Sequence, residues 1–506
     1  MKHPNRAARA LSLLLSAILV LLSASCAKKD EKDAADPGNT PAVTQSDAAS
    51  DAGDNAAEVP ETEATKPLAY LGAHDFEGRT FTVLVSGMDN SEWRQNNIDA
   101  DAENPEIINS SRFNRNIEVE DTLNVTLASI EQFGNGGIVM GELKAAVKAN
   151  DEIYNTTQLC CTDAAKITLE GYFADLRTLP GVSLEEPWWD ARSIEDMTIR
   201  GQLYHAVNAI CIASYNATFA ILFNKELAAE YHLESPYQDV LDGKWTYDAL
   251  KGMMNGVSTD LDGNGKMDDH DLFGLCLWVD AITGAVNSGL EYCAQVGEDG
   301  LLALTLDTER VQDIVDKFIS FAADPEITAD YIFKGYSSYD LFAGNHALFY
   351  MQEINRITAF RDMEADFGVL PMPKFNEEQP VYRSCVAEND GVLLSVPIVI
   401  TDAEFTGVVL DALACLSERY VMPAYYEITL QRKAARDEES GQMLDIIFST
   451  RAYDLGWIYQ VGALKNSMKD IVQGASPNIS ALVQKRKSIA NRMINTVNEF
   501  YEENGN

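Results

Sequence analysis

The stretch from Phe342 to Lys374 constrains the fold most. Ala347 to Met351 is a short apolar run that begins soon after Gly344, as a buried strand does. Gln352 to Met363 then carries Ile354, Ile357 and Phe360 at helical spacing. Phe367 to Leu370 is a second apolar run, and Pro371 and Pro373 stop it, because proline has no N–H to give to a ladder. A strand, a helix and a strand in succession predict a right-handed crossover in a mainly parallel sheet. Gln352, Glu353 and Asn355 stand where the first strand ends. Ligands of such sheets bind off the carboxyl ends of strands, so Glu353 is a candidate ligand-binding residue.

The first part of the chain repeats this logic. Arg79 to Val85 alternates, with Phe81, Val83 and Val85 on one face. A helical pattern over 105–121 follows, then a strand over 124–127, a helix opened by Gly136 and Gly137, and a strand over 153–159. This β-α-β-α-β order predicts a parallel α/β sheet. Two loops then fall at one sheet edge, the first with Asn90 and Trp93 and the second with Thr162 and Asp163. A tryptophan beside Asn and Asp suits a sugar, whose C–H faces pack on rings and whose hydroxyls bond to carboxylates. Trp93 serves equally well as a core residue on the first helix. Of the pair Trp188 and Trp189, packing in the interior is the commoner fate.

A chain of 506 residues exceeds one ordinary core and predicts two domains. Its net charge of −39 argues against nucleic acid as a partner, since phosphate binding needs clustered Lys and Arg. Residues 1–26 read as a secretion signal, with Lys2, Arg6 and Arg9 ahead of a short apolar core from Leu11 to Leu22. Leu22-Ser-Ala-Ser-Cys26 resembles a bacterial lipobox, which makes Cys26 the expected lipidation site and the outer face of the cytoplasmic membrane the expected location. Residues 27–70 are mostly Ala, Asp, Glu, Thr and Pro, too polar to offset ordering entropy, and are expected to form a disordered acidic tether. The cysteines after Cys26 include no C-x-x-C, so buried free thiols are expected rather than a disulfide scaffold or a zinc site.

Several motifs in order carry a family resemblance. The segment Phe342-Ala-Gly-Asn-His-Ala-Leu-Phe-Tyr-Met351, followed by Asp366-Phe-Gly-Val-Leu-Pro-Met-Pro-Lys374, resembles the return segment of bacterial extracellular solute-binding proteins of the sugar-transporter class, family 1, the maltose-binding-protein-like group. Gly201-Gln-Leu-Tyr-His-Ala-Val207 with Ala217 to Lys225 resembles the family's first crossover, although Phe223 replaces a tyrosine. Gly243-Lys-Trp-Thr-Tyr-Asp-Ala-Leu250 is also similar, and Thr246 there is a helix cap. The resemblance implies an α/β, two-lobed periplasmic-binding-protein-like fold of type II. Its sheets would be mostly parallel with helices on both faces, and several hinge crossovers would join the lobes. It implies lobe 1 over 71–207 and 366–425, and lobe 2 over 208–365 and 426–506. It places Tyr215 and Asn216 at the cleft and an aromatic, Trp457, near the ligand; Tyr215 also reads as a packing residue.

The clearest local chemistry lies at 260–271. Asp260-Leu-Asp262-Gly-Asn264-Gly265-Lys266-Met-Asp268-Asp-His-Asp271 fits a calcium loop of the EF-hand kind. Asp260, Asp262, Asn264, Asp268 and Asp271 take the side-chain ligand places, Lys266 offers its carbonyl, and Gly265 makes the sharp turn. The last place departs from the pattern, being Asp instead of Glu. With no second hand to pair with, a structural Ca2+ that pins a long loop is expected, against a solvated acidic turn.

Three functions compete. The resemblance implies a monomeric, lipid-anchored protein, not an enzyme, that captures a carbohydrate in an interlobe cleft and hands it to the permease of an ABC importer. A secreted glycoside hydrolase is the second reading. Acidic pairs such as Glu185 and Glu186 occur, but in so acidic a chain they are inevitable, and G-x-S-x-G, H-E-x-x-H and P-loop patterns are missing from the sequence. A calcium-dependent surface adhesion module is the third; a single calcium loop argues against it.

Overall fold

Apolar runs of the length read above build two separate sheets. The computed structural model describes residues 67–86, 97–132, 136–330, 337–431, 438–474 and 476–505. The signal segment with Cys26 and nearly all of the tether lie outside them. The described residues belong to one compact unit, Glu63–Asn506.

The first sheet contains β1 (Arg79–Ser86), β2 (Val125–Gln132) and β3 (Thr156–Cys160). The second contains β4 (Phe219–Asn224), β5 (Phe273–Leu277), β8 (Thr328–Asp330), β9 (Ala347–Glu353) and β10 (Phe367–Leu370). Between β5 and β8 the chain makes a short hairpin of β6 (Ala294–Val296) and β7 (Leu302–Leu304). Further on come β11 (Ser384–Cys385), β12 (Val392–Ser395) and β13 (Arg451–Ala452). The first sheet runs β12-β3-β1-β2 and the second β10-β4-β9-β5-β8.

The β-α-β-α-β reading of the first sheet matches the structure, with helices Ile107–Leu123 and Gly136–Ala149 between parallel strands. Both sheets also take an antiparallel member. β12 runs against β3, and β4 runs against both β9 and β10. The crossover expected from Ala347 to Leu370 therefore spans two places: β9 and β10 point the same way, and β4 lies between them. Its helix is short, Arg356–Ala359 with a 3-10 turn at Phe360–Asp362. The cause is that Gln352 and Glu353 remain paired with Ala220 and Phe219, which keeps the chain extended past Met351. Phe342, Phe360 and Phe367 close this unit with edge-on ring contacts of 5.0 to 6.0 Å.

The pairing of β10 with β4 also moves a boundary. Residues 367–370 were expected to begin the return to the first lobe, yet they form an edge of the second sheet. The chain rejoins the first sheet only at β12. An isolated bridge pairs Ala206 with Leu394 of β12, another pairs Thr218, just ahead of β4, with Val386, and β11 and β13 form a separate parallel pair. The boundary expected between residues 425 and 426 falls inside the helix Met422–Gln431.

Local signals hold where the backbone needs them. Thr246 accepts from Ala249 N–H and Thr308 from Val311 N–H, each capping its helix. Trp245 is fully buried and donates its indole N–H to the Pro371 carbonyl at 2.9 Å. Trp189 is interior too and donates to Asp411 at 2.8 Å. Among the described residues the seven cysteines are all buried, and none is in a disulfide. No described helix is long and apolar enough to cross a membrane.

Candidate functional site

The carboxyl ends of β5 and β9 open on a pocket. Trp278 and Asp280 follow β5, Gln352 and Glu353 end β9, and Asn355 and Arg356 begin the short helix. The opposite wall is the segment Ala387, Asn389 and Asp390 that leads into β12, and Lys465 enters from the helix Leu464–Val472. The cavity is about 140 Å³. Whole ligand pockets run to roughly 300–1,000 Å³, so this cavity by itself is smaller than a site for an oligosaccharide.

Charge organises it. Lys465 Nζ lies 3.0 Å from Asp280 Oδ2 and 2.5 Å from Glu388 Oε1, and Lys469 Nζ lies 2.6 Å from Asp280 Oδ1. Lys465 thereby ties the end of β5 to the loop before β12. Burial alone would lower the Lys465 pKa, but Glu388 and Asp280 hold it above its ordinary value. Glu353 differs from these acids. It is buried, and the nearby cation that acts on it is Arg356. Its pKa is raised to about 7, first by burial and then by the charge of Asp390, with Arg356 opposing.

The sequence-derived candidates scatter around this pocket. Glu353 lines it. Asp163 is in the first turn of the helix Cys161–Thr168 after β3, mostly covered, and pairs with Lys166 at 3.3 Å. Asn216 ends the helix Ile212–Asn216, where its Oδ1 accepts from Tyr425 O–H at 2.9 Å and its carbonyl from Asn355 N–H. Tyr215 turns inward: its ring lies 3.7 Å below the Arg451 guanidinium and edge-on to Phe448. Trp457 is likewise interior, 2% exposed, on the helix Leu455–Ile458. For both, packing wins because a buried cluster claims the ring. Asn90 and Trp93 lie outside the described residues. Sequence reading missed Trp278, Asp280, Asp390 and Lys465. A signal existed for two of them, since the apolar run Leu272–Leu277 ends directly at Trp278-Val-Asp280.

The acidic loop forms a second candidate site. An antiparallel bridge, Thr259 to Leu272, closes its base. Asp260, Asp262 and Asp271 bring carboxylate oxygens within 4.8 Å of one another. Asp260 accepts backbone N–H bonds from Gly263, Asn264 and Gly265, which lowers its pKa, the Gly265 bond contributing most. Gly263 and Gly265 hold φ of 70° and 78°, which a side chain would strain. Asn264 Oδ1 accepts from Lys266 N–H, and Asp268 Oδ1 from His270 N–H. Asp271 is fully buried and accepts from Leu261 and Asp268 N–H. Backbone donors thus preorganise a ring of hard oxygens, a donor set that fits a calcium ion.

No family model matches the sequence, and no curated protein matches it. Solved structures do match along most of the chain. The cyclo/maltodextrin-binding protein complexed with maltotetraose aligns at a TM-score of 0.57 and 12% identity, over 83% of this chain and 99% of that one. The chain has the type II periplasmic-binding-protein fold of the sugar-binding proteins of ABC transporters. The sugar-binding protein MalE from Xanthomonas citri aligns at 0.56 and 12% identity, over 84% and 99%. The cyclic alpha-maltosyl-1,6-maltose binding protein from Arthrobacter globiformis aligns at 0.55 and 13%, over 82% and 99%. The pocket thus lies between the carboxyl ends of β5 and β9 and the segment that leads into β12.

Proposed function

We propose that this protein captures a saccharide in the cleft between its two sheets and delivers it to an ABC importer, tethered to the membrane through lipidated Cys26. The observation that carries the reading is a polar, partly aromatic pocket at the carboxyl ends of β5 and β9, walled on its far side by the segment entering β12. Groups from the end of the second sheet and from the segment that enters the first surround one space, so a ligand there would favour a closed arrangement by its contacts with both. The reading needs no catalytic step: donors, acceptors and the Trp278 ring suffice for binding.

The same proposal gives the loop at 260–271 a structural calcium ion held by Asp260, Asp262, Asn264, Asp268 and Asp271 and the Lys266 carbonyl. The ion would neutralise carboxylates that otherwise repel one another across the loop.

A thermal-shift screen against mono- and oligosaccharides, with calcium and with EDTA, tests both parts. A ligand that binds only the native state must raise the melting temperature. A saturable rise with one sugar, recovered unchanged, supports capture. Consumption of the sugar would replace this reading by hydrolysis. An unchanged melting temperature in EDTA would remove the structural calcium.

A further inference from the structure

We propose that the cavity between the helix Ala191–Met197 and β6 is a second binding site, one that takes a small monovalent carboxylate on the Arg383 guanidinium. The cavity is about 290 Å³, close to the roughly 300 Å³ at which ligand pockets begin. It shares no lining residue with the pocket at β5 and β9. Separate segments meet in it. Arg192, Glu195 and Asp196 come from the helix, Tyr292 from just ahead of β6, Arg383 from just ahead of β11 and Tyr453 from just after β13.

The polar groups of this cavity are unequally satisfied. Arg192 is spent: Nη1 pairs with Glu195, Nη2 pairs with Asp196 Oδ1 at 3.1 Å, and Nε donates to the Arg451 carbonyl at 3.4 Å. Asp196 Oδ2 accepts from Tyr453 N–H at 2.9 Å. Arg383 is half-buried, and its Nη1 donates to the Tyr292 hydroxyl. Its Nε is buried and makes no hydrogen bond among the described residues. Both acids of the cavity form their ion pairs with Arg192, and Asp196 acts on Arg383 from farther off. The Tyr292 oxygen also accepts from Arg192 Nη2 at 3.4 Å, so two guanidiniums converge on one neutral atom.

A buried donor left unbonded is costly, and binding sites are where such groups persist. A guanidinium offers its donors as a planar fork, which a carboxylate matches with two parallel bonds. A carboxylate on Arg383 would supply the missing acceptor and the missing counter-charge, and would ease the repulsion between the two guanidiniums. A single negative charge fits best. Glu195 and Asp196 line the same cavity and the whole chain carries −39, so a dianion is repelled about twice as strongly as a monoanion.

The test is isothermal titration of the full-length protein with benzoate and lactate, with their neutral amides, and with inorganic phosphate, in a buffer free of other carboxylates. One of the two carboxylates is expected to bind with a Kd of about 1 mM or tighter, and at least about tenfold more tightly than its amide. Arg383→Gln is expected to weaken that binding about tenfold or more. Arg383→Lys keeps the charge and loses the fork, and is expected to weaken it about threefold or more; it carries the comparison should melting curves show that Arg383→Gln has lost its fold. Binding of neither carboxylate, equal binding of acid and amide, phosphate binding more tightly than both acids, or an affinity unchanged in the Arg383 variants overturns the inference. None of these outcomes bears on saccharide capture at the other pocket.

Discussion

Replacing Asp190 by asparagine tests the account of how the segment before the first crossover is held. Asp190 Oδ2 accepts from Arg451 Nε at 3.1 Å, from its terminal nitrogen at 3.0 Å and from Tyr453 O–H at 2.5 Å. Its Oδ1 caps the helix Ala191–Met197, accepting from Arg192 N–H at 2.9 Å and Ser193 N–H at 3.4 Å. Side-chain exposure is 3% for Arg451 and 4% for Asp190, so solvent screens neither charge. The asparagine oxygen can keep the cap but its amide turns donors toward a guanidinium that also donates. Breaking one side of a buried pair costs about 3–5 kcal/mol, because the other charge stays buried alone. Arg451→Met should cost a similar amount, and it also removes the cation from the Tyr215 ring 3.7 Å away. The double variant strands no charge, so its loss should fall short of the sum of the two by roughly 2–3 kcal/mol. Urea unfolding of the four proteins, followed by circular dichroism, measures the cycle. Single losses below about 1 kcal/mol with no coupling would refute the claim that this pair holds the segment.

Other outcomes follow from the same structure. Glu353 has a folded pKa of about 7 against an ordinary 4.5, so the folded state binds the extra proton between those values and stability falls as pH rises through that window. Glu353→Gln should therefore gain on the parent protein as pH rises from 4.5 to 7, by up to about 3 kcal/mol, in melting curves taken across that range. Gly407→Ala should destabilise by about 1–3 kcal/mol in the same assay, because a Cβ there would sit 2.0 Å from the Pro180 carbonyl oxygen. Asp271→Asn should lower the melting temperature in calcium and abolish any difference between calcium and EDTA, since Asp271 is the buried acid of the loop.

What could be read without coordinates is what short-range physics determines. Alternation over Arg79–Val85, apolar runs at Ala347–Met351 and Phe367–Leu370, and the cap at Thr246 all became elements where they were read. The acidic loop was legible because its ligand spacing lies within twelve consecutive positions. The two-lobed fold was legible because its motifs recur in order. Tertiary structure alone decided which strand is whose neighbour. β4 inserts between β9 and β10, and residues 367–370 join the second sheet, since pairing depends on partners more than a hundred residues away. It also decided which polar and aromatic groups face the cleft. Tyr215 went under Arg451 and Trp457 went inside, while Asp280, Asp390 and Lys465 converged from three distant segments. Period and propensity report how one residue relates to its near neighbours; a buried charge finds its counter-ion only when the chain has closed around it.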